Sequence, residues 1–176
     1  MKVIFLDFDG VVNNISYDKY IDIDILVKKG KDKYFPSTWS INNLEPFLNL
    51  LLWCQKKDIK IVISSSWRIL FDNYSYIEEM FCEIFKQYSY QKRKNKYTDL
   101  VIGRTKILGF RGLEITEWLK DNENLNIENY VVVDDEVDYD IKQYINKEHY
   151  VQTDNKVGLT NYDVYIIKNK LMKGEN

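Results

Sequence analysis

The sequence predicts an α/β domain with a central parallel sheet of about five strands, helices on both faces and only a minimal cap. Short apolar or β-branched runs recur along the chain, amphipathic stretches of helical period stand between them, and polar groups follow directly after several of the runs. Strands that alternate with helices imply a parallel sheet covered on both faces. In such sheets ligands sit beyond the carboxyl ends of the strands.

The first strand is Val3 to Leu6, which runs into Asp7, Asp9 and Gly10. Leu44, Phe47, Leu48, Leu51 and Leu52 follow the helical period, with Asn42 or Asn43 as the cap and Pro46 in the first turn. Ile59 to Ile63 is a β-branched run of strand length that ends at Ser64-Ser65-Ser66. Ile77, Met80, Phe81, Ile84, Phe85 and Tyr88 form a second helical stripe. Val101-Ile102 is a weaker strand leading to Gly103-Arg104-Thr105, and Ile115, Trp118 and Leu119 mark a third helix. Tyr130 to Val133 ends at Asp134-Asp135, Tyr150-Val151 is the last strand, and Thr160 to Asp163 reads as a capping box opening the last helix. The charge-rich stretches Lys28 to Lys33 and Gln91 to Lys96 read as exposed loops.

At 176 residues the chain suits one domain, 1–176, with small insertions near 14–38 and 69–97. A net charge of -2 gives no general pull toward nucleic acid or membrane, so any anion-binding patch must be local. Only four apolar residues precede Asp7 after Met1-Lys2, and no later run approaches membrane-spanning length, so the expectation is a cytoplasmic protein without a membrane partner. Cys54 and Cys82 lie in apolar helical patterns and read as reduced thiols rather than metal ligands or a disulfide. His149 stands away from the motifs, and Trp67 and Trp118 read as packing residues. Arginine is rare, four against 21 lysines, and three of the four, Arg68, Arg104 and Arg111, fall in segments near strand ends. A lysine cannot reproduce the bidentate fork of a guanidinium.

Acids, hydroxyls and a cation gathered at one sheet edge suit phosphoryl transfer with a hard cation. Mg²⁺ takes oxygen ligands and commonly one or two carboxylates, which Asp7 and one or both of Asp134 and Asp135 can supply. A carboxylate can attack phosphorus to form an aspartyl-phosphate, and Asp9 can exchange the proton. Ser64 can donate to a phosphoryl oxygen, with Ser65 in that place if the strand ends one residue later. Arg111 can offset charge on the nucleophile and the phosphoryl group. Gly10 forms the turn by which the chain leaves the site. Arg68 and Arg104 are divided between substrate contact and internal pairing with acids.

DFDGV after a hydrophobic strand, the Ser that closes VIS, the basic residue of RGLEI, and VVVDD with Asp138 and Asp140 beyond it resemble, in order, the four motifs of the HAD (haloacid dehalogenase-like) phosphohydrolase superfamily. More narrowly, ISSSWR, IGRT, RGLEITEWL, YVVVDDEVD and VQTD with GLT resemble the HAD domain of Swiss Army Knife RNA-repair proteins. The resemblance implies a Rossmann-like fold with Asp7 as nucleophile and Asp9 as general acid/base. It places Mg²⁺ on Asp7, Asp134, Asp135 and the Asp9 backbone carbonyl, phosphate on Ser64, and Arg111 where the motif lysine usually stands. Lys106 is the other candidate for that cation, and Asp138 and Asp140 are both candidates for the accessory acid. Gly10, Ser65, Arg68, Arg104 and Lys106 make up the expected substrate side.

Neither the 14–38 nor the 69–97 segment is long enough for a lid domain, so the site should be open and able to accept a phosphate at the end of a large molecule. The resemblance implies that this is a terminal 3' phosphate of nucleic acid, RNA or DNA, removed by a phosphatase. An open site also fits free nucleotides or other small phosphomonoesters. Of a different class is a non-catalytic binding or regulatory module on the same fold, against which the intact Asp7, Asp9 and Asp134 argue. The run Lys92, Arg93, Lys94 and Lys96 reads as a solvated loop or as a grip on a nucleic-acid backbone.

Overall fold

The computed structural model describes residues 1–14, 20–25, 35–69, 77–82, 99–136 and 139–174, with only the backbone described for 20–25, 35–41 and 139. The elements in order are β1 (Lys2–Leu6), β2 (Tyr20–Ile25), β3 (Phe35–Ser40), α1 (Ile41–Lys57), β4 (Lys60–Ile63), a helical stretch α2 (77–82), β5 (Val101–Arg104), α3 (Arg111–Asp121), β6 (Asn129–Asp134), α4 (Tyr139–Tyr144), β7 (Tyr150–Gln152) and α5 (Asn161–Leu171). Five strands form one sheet in the order β5-β4-β1-β6-β7, with every pairing parallel. The order is that of a Rossmann-like α/β core.

Alternation along the strands separates two apolar layers. Ile4, Leu6, Ile61, Ile63, Val131 and Val133 face α1, α2 and α5, through side chains that include Leu44, Phe47, Phe81 and Ile167. Val3, Phe5, Val62 and Val132 face α3 and α4, through Ile115, Trp118 and Ile141. Trp118 packs edge-on against Phe5 with ring centroids 5.4 Å apart. Helices therefore cover both faces. Among the described residues no helix is long and apolar enough to cross a membrane.

The hairpin of β2 and β3 was not expected. It pairs antiparallel from Tyr20 with Ser40 to Ile25 with Phe35, within a stretch that reads as an insertion. The start of α1 also differs. Asn43 does not cap it, because the helix already begins at Ile41; its Nδ2 instead donates to the carbonyls of Val157 and Leu159 and ties that loop to the helix. Pro46 is therefore inside the helix rather than in its first turn. The capping box of α5 forms, with Thr160 Oγ1 accepting from the Asp163 amide and Asp163 accepting from the Thr160 amide.

Strand register builds the functional edge. Leu6 is level with Ile63 on one side and Val133 on the other, so the next residues on three adjacent strands are Asp7, Ser64 and Asp134. Backbone bonds from the Asp7 amide to Val133 O, 3.0 Å, and from the Ser64 amide to Leu6 O, 3.0 Å, carry this alignment one residue past the strands.

Candidate active site

Asp7, Asp134 and Asp135 place carboxylate oxygens within 4.8 Å of one another, two of these side chains being buried and one half-buried. Asp7 Oδ1 accepts from the Phe8 amide at 2.8 Å, and Asp134 Oδ1 accepts from the Glu136 amide at 2.9 Å. Asp134 Oδ2 is buried without a hydrogen-bond donor. Burial, and then the charge of Asp7, push the Asp134 carboxyl up to about 7; the same two causes raise Asp135 to about 6. Three clustered oxygens, one of them buried and accepting no hydrogen bond, fit a hard cation, which would hold these acids ionised.

Gly10 shapes the cradle around this cluster. Its φ is +70°, and a Cβ there would stand 2.2 Å from the Asp135 carboxyl carbon. Only glycine combines that conformation with so close an approach. Thr153 Oγ1 donates to the Gly10 carbonyl at 2.9 Å, and Gln152 Nε2 donates to the Asp135 carbonyl at 3.0 Å, so β7 braces the turn and the second acid together.

Arg111 is the cation that meets the acids. Its Nη1 stands 3.3 Å from Asp134 Oδ2 and 3.8 Å from Asp7 Oδ1. Lys106 is tied elsewhere, its Nζ 2.6 Å from Asp121 Oδ2. Arg68 turns inward: Nη2 donates to Glu114 at 2.6 Å, and Nη1 donates to the carbonyls of Ser64 and Ser65. Arg104 Nη1 donates to the Arg68 carbonyl at 2.7 Å. Arg68 is thus paired with an internal acid, and Arg104 reaches the backbone of the same turn.

Asp9 is exposed and its carboxylate is not part of the acidic group. It is oriented by Trp67, whose Nε1 donates to Asp9 Oδ2 at 2.8 Å while the indole packs against Phe8. Trp67 is therefore more than the packing residue that its type suggests. Ser64 and Ser65 are both fully buried; Ser65 Oγ accepts from the Trp67 amide, and Ser64 Oγ has no partner. Because β4 ends at Ile63 and a 3₁₀ turn begins at Ser66, the serine that opens into the cleft is Ser66. That cleft, about 310 Å³, also includes Arg111, Glu114, Asp134 and Asp140. Asp140 Oδ2 accepts from the Gly112 amide at 2.6 Å and so stabilises the start of α3, while Asp138 lies outside the described residues.

Glu114 stands within RGLEI without a role of its own there, yet it joins the parts. Oε2 meets Arg68 and lies 4.0 Å from Arg111 Nε, while Oε1 accepts from the amides of Leu108 and Gly109. The available signal was an acid on the buried stripe of an amphipathic helix, one turn from Arg111 and one from Trp118. Cys54 is buried and free, its thiol pushed up to about 12 by burial, and Cys82 is half-buried and free. His149 stacks on Tyr130, 4.4 Å between centroids, away from the acids. The Lys92 to Lys96 run lies outside the described residues.

A family model, the HAD domain in Swiss Army Knife RNA repair proteins, matches residues 3–164. No curated protein and no solved structure matches the chain. The family match spans β1 through the first turn of α5, and with it the sheet, the acidic group and Arg111. The chain belongs to the family of HAD domains found in Swiss Army Knife RNA repair proteins.

Proposed function

We propose that the chain is a Mg²⁺-dependent phosphomonoesterase that works through a phosphorylated Asp7 and removes a terminal 3' phosphate from nucleic acid. The observation that carries this reading is the register that makes Asp7, Ser64 and Asp134 the next residues on three adjacent strands, with Arg111 against two of them. The family's occurrence in RNA repair supports a nucleic-acid end as the substrate.

Asp7 Oδ1 is held by the Phe8 amide, so Oδ2 is the oxygen assigned to attack phosphorus. As the new P–O bond forms, the ester P–O bond breaks and Asp9 gives its proton to the departing ester oxygen, which leaves as a hydroxyl. Water then attacks the aspartyl-phosphate, Asp9 takes a proton back, and Asp7 is regenerated with release of inorganic phosphate. Trp67 keeps Asp9 at the rim for both transfers. Ser64, with a buried hydroxyl lacking a partner, and Ser66, at the cleft, are the donors assigned to phosphoryl oxygens, beside Arg111. Mg²⁺ held by Asp7, Asp134, Asp135 and the Asp9 carbonyl would offset charge on the nucleophile and the phosphoryl group.

The test is phosphate release from an aryl phosphate, with and without Mg²⁺, against an Asp7→Asn control. Comparison of kcat/KM on a 3'-phosphorylated oligonucleotide and on mononucleotides follows. Metal-dependent release above the control, with the oligonucleotide preferred, is the expected outcome. Release no greater than the control would remove the enzyme reading, and equal or better turnover of mononucleotides would remove the nucleic-acid one.

A further inference from the structure

The large apolar side chains exposed to solvent are not scattered evenly over the described surface. Ile69, Ile107 and Phe110, each at least 60% exposed, line the same cleft that Arg111 and Asp134 enter, and Leu108, 43% exposed, lies in the same loop. Single exposed apolar residues need no explanation, but a cluster on a functional cleft marks a binding surface. Phe110 and Arg111 are consecutive, so an aromatic ring and the guanidinium beside the acids leave the chain within one residue of each other.

The loop that presents these side chains is held in place. Glu114 Oε1 accepts from the Leu108 amide at 2.9 Å and the Gly109 amide at 3.3 Å, and the Phe110 carbonyl accepts from the Glu114 amide at 2.9 Å. Its apolar face is thus displayed on an anchored backbone, which lowers the cost of binding. About 310 Å³ lies at the small end of ligand pockets and suits one nucleoside better than a strand. The carboxylates of Glu136 and Asp140 on the same cleft oppose a run of further phosphates.

We propose that this cleft binds the unpaired terminal nucleobase of the phosphorylated nucleic-acid end, stacked on Phe110 and edged by Ile107 and Ile69, while its phosphate lies toward Arg111. The inference rests on the phosphatase reading for the position of the phosphate and adds to it a requirement for a base that is free of a duplex. Stacking on an aromatic side chain tolerates any base, because every base has a π face.

The test uses the full chain with Mg²⁺ and two single-stranded oligonucleotides, one ending in an ordinary 3'-phosphorylated nucleotide and the other identical but abasic at that nucleotide. The readout is the ratio of kcat/KM on the first to that on the second. We expect a ratio of about 10 or more in the wild type, lowered about 10-fold by Phe110→Ala and kept within about 3-fold by Phe110→Tyr. Ile107→Asp, on the same rim, is a second variant and lowers the same ratio. A wild-type ratio near one, or a ratio that neither Phe110→Ala nor Ile107→Asp moves, overturns the base site and leaves the phosphatase standing. A dimer dissociated by Phe110→Ala, with an unmoved ratio, assigns the patch to a second copy and overturns it equally. Without turnover on either substrate the phosphatase reading has failed on its own. Fluorescence of a terminal 2-aminopurine then decides the base site: quenching by the wild type and not by Phe110→Ala supports it, and no quenching overturns it.

Discussion

Arg68 Nη2 and Glu114 Oε2 lie 2.6 Å apart with both side chains almost fully buried, and this one ion pair ties the 3₁₀ turn after β4 to the start of α3. Arg68 also donates to the carbonyls of Ser64 and Ser65, while Glu114 receives the loop amides of Leu108 and Gly109. Removing one partner would leave a charge buried without compensation. Glu114→Leu is expected to lower unfolding free energy by about 3–5 kcal/mol, measured by urea denaturation. The double variant Arg68→Met, Glu114→Leu should lose less than the sum of the two single variants, because no charge is then left alone, although the carbonyls of Ser64 and Ser65 and the amides of Leu108 and Gly109 still lose their partners. Additive losses in the double-mutant cycle would show that the two residues do not act as a pair.

Gly10 and Gly109 separate backbone strain from crowding. Both have positive φ, +70° and +86°, but a Cβ at Gly10 runs into the Asp135 carboxyl, whereas one at Gly109 has nothing within 4 Å. Alanine at either position should destabilise the chain by about 1–3 kcal/mol through the left-handed conformation. Only Gly10→Ala should also displace Asp135, and we expect it to weaken Mg²⁺ binding, measured by calorimetry, by about 10-fold or more. Equal Mg²⁺ affinity in the two variants would separate Asp135 from the metal.

Without metal, the acidic group should oppose folding at neutral pH. Asp134 rises from 3.8 to about 7 through burial and then the charge of Asp7, with Arg111 opposing and Asp135 adding to the repulsion. A folded-state pKa above the unfolded one means that the native chain binds the extra proton, so stability falls as pH rises from about 4 to about 7. In chelator at pH 8, Asp134→Asn is expected to melt above the wild type, by an amount whose ceiling is on the order of 4 kcal/mol from roughly three pKa units. At pH 4 the advantage should disappear. Added Mg²⁺ should raise the melting temperature of the wild type and not that of the variant. A variant less stable than the wild type in chelator at pH 8 would contradict the origin given for the shift.

The parallel core was legible because each of its signals is local: an apolar run, a polar group at its end and an amphipathic stretch after it. Register followed from the same rule, and so Asp7, Ser64 and Asp134 came together. The β2–β3 hairpin had a signal too, since Ile21, Ile23 and Ile25 alternate with Tyr20, Asp22 and Asp24. It lies in the 14–38 stretch read as an insertion, beside the charge-rich 28–33 run, and Pro36 in the partner strand weakens the strand signal there. Which serine reaches the cleft was beyond the sequence, because it turns on the residue at which β4 gives way to a 3₁₀ turn. Internal pairing with an acid was one of two readings open for Arg68, but which acid it meets was hidden, as Glu114 lies 46 positions away.

Trp67 offers a test of the proton-transfer role assigned to Asp9. Its indole Nε1 donates to Asp9 Oδ2 at 2.8 Å, and its ring lies 5.5 Å from that of Phe8 in an edge-on contact. Trp67→Phe keeps an aromatic ring against Phe8 and deletes the donor, so its effect on folding should be small. Asp9, left with only the 3.5 Å bond from Asn13 Nδ2, would spend less time where it can reach the leaving oxygen, which slows chemistry more than it weakens binding. We expect kcat to fall about 10-fold with KM within about 3-fold of the wild type, measured on a phosphomonoester with a poor leaving group. On an aryl phosphate, whose leaving oxygen needs little protonation, the first step should be affected far less. An equal loss on both substrates, or a change confined to KM, would take the proton-transfer role away from Asp9 and leave Trp67 as a wall of the site.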